Sequence, residues 1–485
     1  MNLSTHQMDR AAGVILASAA GDALGAPYEF GPALPDDAPV RFGRGALGHG
    51  YAEWTDDTSM AMPVLQALAA GSDLRDPAVL GGILAAWREW ARTSPDVGKQ
   101  TKEVLGGLSD GASETDARAA ALARHESTGR SGGNGSLMRT GPVALGYLAD
   151  GQEAALVDAS GRVAQLTHWE RDNTDACALW GLAIRHAVRT GELDVRAGLS
   201  WLPEERRERW AGLIDEALAP GAHPRDFADG NGWVVRAFQS GLTAVHGATS
   251  LVDALERAVR GGGDTDTVAA IAGSLAGAVY GSSAVPVAWQ LDLHGWPGLR
   301  ATDLPRLAAL AANGGRPDSQ GWPTAEIMVP HEPMSTLVRL PDDDGVWLGS
   351  LDALPRLATE APEVRAVVSL CRVGTAQVPD GLTSVQVRLI DRPGENPHLD
   401  TVLAGTVDTI ARLRAEGHGV FVHCLEARSR TAAVAALYLM RHRGVPEEVA
   451  WERVAGVLPN FRPEAFLREG VRRVRLGGGG SAPAR

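Results

Sequence analysis

Two short stretches of this sequence set paired carboxylates beside hydroxyls. Trp54-Thr55-Asp56-Asp57-Thr58 precedes a helical run, and Gly263-Asp264-Thr265-Asp266-Thr267 heads an Ala-rich helix much later in the chain. Hard divalent cations such as Mg²⁺ and Mn²⁺ take their ligands from carboxylates, hydroxyls and water. Two clusters of this kind can hold two cations about 4 Å apart, with one carboxylate as a bridge. Asp and Thr at helix starts also serve as N-caps, but two matching clusters in one domain argue for more than capping. A third stretch, His423-Cys424-Leu425-Glu426-Ala427-Arg428-Ser429-Arg430-Thr431, follows the apolar run GVFV and precedes TAAVAALYLM. A cysteine at a strand end, five residues, then an arginine at a helix entrance suits an anion. Loop N–H groups and the helix N-terminus converge on the ligand, and the same field favours the thiolate.

The elements that must position these residues differ along the chain. From Asp9 to about Leu310, Ala and Gly alternate with Leu, Val and Ile at helical spacings. Small residues at those spacings let helix axes approach closely, which predicts an all-α, orthogonally packed N-terminal domain over 1–312. The Gly- and Pro-rich stretch within 313–325 reads as a linker. From 326 to 475, β-branched runs at 346–351, 364–370, 383–390 and 419–424 alternate with helical segments. That texture predicts an α/β domain with a central, largely parallel sheet. The low-complexity end, 476–485, reads as a disordered tail.

The net charge of −13 lies almost wholly in the first domain, because 19 Arg face 20 Asp and Glu from Glu326 onward. An acidic domain argues against nonspecific nucleic-acid binding. The three cysteines, Cys177, Cys371 and Cys424, form no even framework, a pattern of a reducing compartment. No apolar run is long enough to span a membrane. Residues Arg10 to Ala20 superficially resemble an export signal, but their apolar part is mostly Ala and Gly, so the cytoplasm is the expected location.

Several motifs, in order, carry a resemblance to a known family: GDALGAPYEF (21–30), WTDDT (54–58), NGSLMRTGP (134–142), LTH (166–168), NGWVVRAF (231–238) and GGDTDT (262–267). Residues 9 to 300 resemble the ADP-ribosylglycohydrolases, including the type that reactivates dinitrogenase reductase. The resemblance implies an all-α fold and two divalent cations, Mg²⁺ or Mn²⁺, on Thr55, Asp56, Asp57, Asp264, Asp266 and Thr267. It also implies a gating or acid/base role for Glu29. Asn134, Gly135 and Ser136 are expected to line the pyrophosphate or ribose, His168 to touch the ligand, and Trp233 to stack on adenine.

Residues 346 to 475 resemble the cysteine-based, dual-specificity-type protein phosphatases, with Cys424 as thiolate nucleophile and Arg430 gripping two phosphate oxygens. Asp391, 33 residues before Cys424, suits the general acid, whereas its rival Asp400 starts a helix and reads as a cap. Ser429 and Thr431 stand where that family uses a hydroxyl, and His423 is expected to support the loop. Ala427 departs from the family's usual glycine, which puts the dual-specificity range in doubt. Cys371 reads as core.

Together these readings predict a hydrolase that releases ADP-ribose from an ADP-ribosylated protein or related ADP-ribosyl substrate, with a second, Cys-dependent phosphatase activity on a phosphorylated substrate. The alternatives are a hydrolase of a free ADP-ribose derivative, or a binding module whose phosphatase domain is catalytically impaired.

Overall fold

The computed structural model describes residues 3–328 and 335–476. They group into two compact units. One is the chain up to Val285 with Asp292–Arg316, and the other is Pro286–Leu291 with the chain from Pro317 on.

The first unit is helical around one central pair. The Thr5–Gly25 helix opens on a capping box between Ser4 and Gln7 and is buried almost throughout. It packs along the Thr265–Tyr280 helix, which is also Ala- and Gly-rich. Small residues bring the two backbones together: a Cβ on Gly277 would lie 2.0 Å from the Gly13 carbonyl oxygen. The Ser18 hydroxyl crosses the seam and donates to the Ala270 carbonyl at 3.0 Å. Farther out, bulk replaces closeness. Trp180 and Trp210 pack edge-on against Phe238, each at 5.2 Å, and Trp180 Nε1 donates to the Ser274 hydroxyl.

The residues that superficially resembled an export signal, Arg10 to Ala20, form the interior of the first helix. The unit is not purely helical, because β1 (His294–Gly295) and β2 (Leu299–Arg300) form a small antiparallel ribbon. Its first strand bridges to Glu53, next to the first acidic cluster. No helix among the described residues is long and apolar enough to cross a membrane.

The second unit holds a five-stranded sheet in the order β3-β4-β7-β5-β6, with β3 Leu337–Leu340, β4 Asp343–Ser350, β5 Val364–Ser369, β6 Thr383–Gln386 and β7 Gly419–Cys424. β3 runs antiparallel to β4 and the other pairings are parallel, so the sheet is mixed. Strand β7 is central and fully buried, as its continuous apolar run dictates. Its Val420 and Val422 share a core with Val434 and Leu437 of the Arg430–His442 helix. The strand expected over 383–390 ends at Gln386. Asn396 brackets Ile390, accepting from its N–H at 2.8 Å and donating to its carbonyl at 2.7 Å, which diverts the chain from the sheet. Strand β3 was not foreseen, being only four residues long. The tail expected from 476 lies outside the described residues apart from Leu476.

The central seam sets a prediction. Gly277→Ala is expected to destabilise the first unit by about 1–3 kcal/mol through overpacking, read by calorimetry as a lowered thermal midpoint. An unchanged midpoint would contradict the close helix contact.

Candidate functional site

The GDALG motif sits at the end of the first helix and brings Asp22 against both acidic clusters. A Cβ on Gly25 would fall 2.5 Å from the Asp266 Cα, so the missing side chain lets the head of the Thr265–Tyr280 helix abut this turn. Asp22 Oδ1 accepts from the Thr55 N–H at 2.8 Å and Oδ2 from the Thr58 N–H at 3.0 Å, which fixes the loop leading into the Asp56–Ala69 helix. On the other side, Gly263 has φ +74° and lies so close to Asn231 that a Cβ would meet its Oδ1 at 2.7 Å. Asn231 Oδ1 accepts from the Asp264 N–H, and Asn231 Nδ2 donates to the Gly262 carbonyl.

The two clusters meet. Thr55 and Asp266, 211 positions apart in sequence, have side-chain oxygens 3.4 Å apart. The Thr55 hydroxyl has one proton, yet oxygens of Asp22, Asp57 and Asp266 lie 2.9, 3.0 and 3.4 Å from it. Asp57 Oδ1 and the Thr58 hydroxyl are buried with no hydrogen-bond partner among the described residues. Oxygens of Asp22, Asp57 and Asp266 lie within 4.8 Å of one another, as do those of Glu29, Asp264 and Asp266, so Asp266 belongs to both groups. Acceptors outnumber donors, and every donor atom is oxygen, as Mg²⁺ or Mn²⁺ requires. The residues therefore fit a pair of hard cations.

The electrostatics agree. Burial, and then mutual repulsion, pushes Asp56, Asp57 and Asp266 well above the usual carboxylate range. Burial raises Asp22 despite its hydrogen bonds from Thr58 and Thr55. Glu29 is pushed up to about 8, by burial first and then by Asp96 and Asp264. Cations would relieve this by making the charged forms favourable.

A cleft of about 270 Å³ opens on the cluster, lined among others by Glu29, Asp56, Asn134, His168, Asp264 and Thr267. Gly135 also lines it, and a Cβ there would press on the His168 ring at 3.1 Å. Asn134 is already committed: its Nδ2 donates to Asp264 Oδ2 at 2.7 Å and to the Asn231 carbonyl at 3.0 Å. It braces a carboxylate at the cleft wall. Arg139, buried over the Trp87 ring, donates to the Thr167 hydroxyl, which lies 2.7 Å from His168 Nδ1, and we assign the hydroxyl proton to that bond. That assignment leaves Nε2 carrying the hydrogen. Burial, then Arg139, holds His168 well below the ordinary histidine range, so the ring is neutral.

One expectation needs correction. Ser136 does not line the cleft; it is fully buried, and its hydroxyl accepts from Asn173 Nδ2 at 2.7 Å, because the Asn134–Ser136 turn points that side chain inward. Trp233 borders an adjacent cavity of about 360 Å³ that shares Gln100, Gly133 and Gly232 with the cleft. Sequence reasoning missed Asp22, Asn231 and Asp96. Asp22 was signalled by a carboxylate inside a glycine motif, and Asn231 by its place in NGWVVRAF. Asp96 lines the cleft and is raised by burial, but its surroundings, SPDVG, carry no pattern.

In the second unit, β7 ends at Cys424 and the Arg430–His442 helix begins six residues later. Arg430 Nη1 donates to the Leu370 and Leu389 carbonyls at 3.0 and 3.1 Å, while its Nε and the Thr431 hydroxyl are buried with no hydrogen-bond partner among the described residues. These donors lack acceptors, the reverse of the first unit. Asp391 joins them: Oδ1 accepts from the Ser429 hydroxyl at 2.6 Å, and Oδ2 lies 3.8 Å from Arg430 Nε. Asp400 is elsewhere, in an ion pair with Arg473, and the N-cap of its helix is His398, so it is neither acid nor cap. His423 is held by the Ser369 hydroxyl at 2.8 Å, and burial lowers it to about 4, so it is a neutral brace. Cys371 is buried, and burial pushes its thiol up to about 12. Ala427 has φ +53°, the left-handed conformation that glycine adopts without cost.

A helical unit around an oxygen-only acidic cluster, followed by an α/β unit with a thiol loop, has the chemistry of a hydrolase. The ADP-ribosylglycohydrolase family model matches residues 3–319, and the chain belongs to that family. It is 28% identical over 288 residues to the ADP-ribosylarginine hydrolase Tri1 of Pseudomonas putida (strain GB-1), covering 58% of this chain and 73% of that protein. It is 29% identical over 310 residues to an ADP-ribosyl-(dinitrogen reductase) glycohydrolase of Rhodospirillum rubrum, covering 59% and 91%. A separate similarity, 35% over 124 residues, is to dual specificity phosphatase 28 of Homo sapiens, covering 24% of this chain and 66% of that protein.

Mn²⁺ or Mg²⁺ is expected to stabilise the first unit, by about 2.7 kcal/mol at a hundredfold excess over Kd. Asp57→Asn should remove most of that gain. A thermal midpoint indifferent to cation and chelator would contradict the fit. Ala427→Gly is expected to stabilise the second unit by about 1 kcal/mol. A destabilised variant in denaturant melts would show that the loop does not need the left-handed conformation.

Proposed function

We propose that the first unit hydrolyses the N-glycosidic bond between ADP-ribose and an arginine side chain, using two divalent cations on Thr55, Asp56, Asp57, Asp264, Asp266 and Thr267. The observation that carries this is the meeting of two acidic loops in a buried cluster with too few protons. The name of one bacterial relative, the ADP-ribosylarginine hydrolase Tri1 of Pseudomonas putida, favours arginine as the linkage. Bound cations supply positive charge for the distal ribose diol and lower the pKa of a water. Asp22 holds the Thr55 loop in place behind them. Glu29, half-buried at the cleft, exchanges a proton with the departing nitrogen. The neutral His168 offers its Nε2–H beside Gly133 and Gly135, where it binds a ribose or pyrophosphate oxygen. Trp233, in the adjoining cavity, stacks on the base.

The second unit is proposed to be a phosphomonoesterase. Its support is the pair of unsatisfied buried donors, Arg430 Nε and the Thr431 hydroxyl, around a thiol at a helix start. Cys424 Sγ attacks phosphorus as Asp391 protonates the leaving oxygen, and water then cleaves the P–S bond to give phosphate, with the Ser429 hydroxyl assisting release of the thiolate.

The test uses arginine-, serine- and nucleic-acid-linked ADP-ribose with Mg²⁺, Mn²⁺ or chelator, scoring free ADP-ribose. Release is expected from the arginine linkage with cation only, falling about 10²–10⁴-fold in Glu29→Gln. Cys424→Ser should abolish phosphomonoester hydrolysis and leave ADP-ribose release intact. Absence of release from every linkage with both cations would overturn the first activity.

A further inference from the structure

Beside the acidic cleft lies a third cavity, of about 450 Å³, whose walls include Glu53, Trp54, Pro95, His294, Trp296 and Arg300. It shares no lining residue with the cleft, but two chain segments join them: Trp54 leads through Thr55 to Asp56, and Pro95 leads into Asp96. The Trp233 cavity also adjoins the cleft, sharing Gln100, Gly133 and Gly232 with it. The cleft with the carboxylates thus adjoins two further cavities. An ADP-ribosyl substrate cleaved at the carboxylates has two ends. With adenosine in the Trp233 cavity, the Trp296 cavity is left for the leaving group.

This cavity is built onto the loop before the acidic cluster. Trp54 Nε1 donates to the Trp296 carbonyl at 3.1 Å, and Gly295 lies on the Trp54 indole so closely that a Cβ would meet Nε1 at 2.4 Å. The Trp54 N–H donates to the His294 carbonyl at 3.0 Å. Glu53 is half-buried; its Oε2 accepts from the Gly50 N–H, and its Oε1 has no partner among the described residues. His294 Nδ1 donates to the Asp292 carbonyl at 2.7 Å, which in the neutral ring leaves Nε2 as an acceptor. An indole and a carboxylate oxygen without a partner, lining one cavity, suit a cationic side chain. Arg300 stands on the exposed rim, where solvent and salt screen it. A volume of this size is that of a ligand pocket and exceeds what one arginine side chain fills.

Resting on the arginine-linkage reading above, we propose that this cavity binds the polypeptide on the leaving-group side of the bond, with a basic side chain flanking the modified residue set between Trp296 and Glu53. The full chain with Mn²⁺ is assayed on ADP-ribosyl-L-arginine and on peptides ADP-ribosylated at arginine and flanked by lysine or by glutamate. The lysine-flanked peptide is expected to have the lowest KM. Trp296→Ala should raise that KM roughly tenfold with kcat unchanged and leave ADP-ribosyl-L-arginine unaffected, which also shows that the variant folds. Glu53→Gln should erase the preference for lysine over glutamate. Equal KM values for the two peptides in the wild type, or an equal loss on peptide and single residue in Trp296→Ala, would overturn the subsite. Calorimetric binding of the unmodified lysine-flanked peptide, weakened roughly tenfold by Trp296→Ala, reads the subsite without turnover. Failure of cleavage sinks the proposed activity, whereas failure of this binding sinks the subsite.

Discussion

The structure of the first unit depends on one imbalance: more buried carboxylate oxygens than protons or donors to satisfy them. Two like charges about 4 Å apart repel by about 4 kcal/mol at an effective dielectric near 20, and Asp22, Asp57 and Asp266 stand in that relation. Left alone, such a group protonates or pulls apart. The surrounding architecture prevents separation. The Thr5–Gly25 and Thr265–Tyr280 helices touch backbone to backbone, and Asp22 and Asp266 are fixed at the ends of that rigid pair. The third carboxylate is tied in through the Thr55 and Thr58 N–H groups. Close helix packing therefore serves the site as well as stability, since it keeps oxygens near one another that repel without a counter-ion.

The second unit has the opposite imbalance. A buried guanidinium nitrogen and a buried hydroxyl have no hydrogen-bond partner among the described residues, at the head of a helix with no side-chain N-cap bond. Even the backbone contributes, because Ala427 holds a left-handed conformation that costs an L-residue about 1–2 kcal/mol. The surrounding strands and helix impose that strain; the loop alone does not choose it. The departure from glycine changes what the loop costs without preventing the conformation.

How legible all this was in the sequence follows from what sequence patterns encode. Ligand types and helix starts are local, so the Thr55–Asp57 and Asp264–Thr267 stretches pointed to cation chemistry before any fold was known. Cys424 and Arg430 did the same for an anion. Asp22 was obscure because its neighbours are distant in sequence, and Asp96 because a lone aspartate in a loop carries no period. Ser136 misled because membership of a motif says nothing about side-chain direction, and its turn sends the hydroxyl into the core toward Asn173. Asn134 was placed at the right wall but in a different relation, since its amide is spent on Asp264. The β6 strand ended early for a reason no propensity contains, the clamp of Asn396 on Ile390.

Charge distribution adds a last constraint on what the cleft admits. The net charge is −13 overall and −1 from Glu326 onward, so the part of the chain holding the acidic cluster repels anions over most of its surface. ADP-ribose carries a pyrophosphate, and an anion enters such a body only where positive charge is local. Lys99 at the cleft and Arg130 at the Trp233 cavity supply some of it. The bound cations would supply the rest. On the proposed reading, cation-free carboxylates would repel an ADP-ribosyl substrate as well as one another, so its affinity and occupancy by metal would be one linked property.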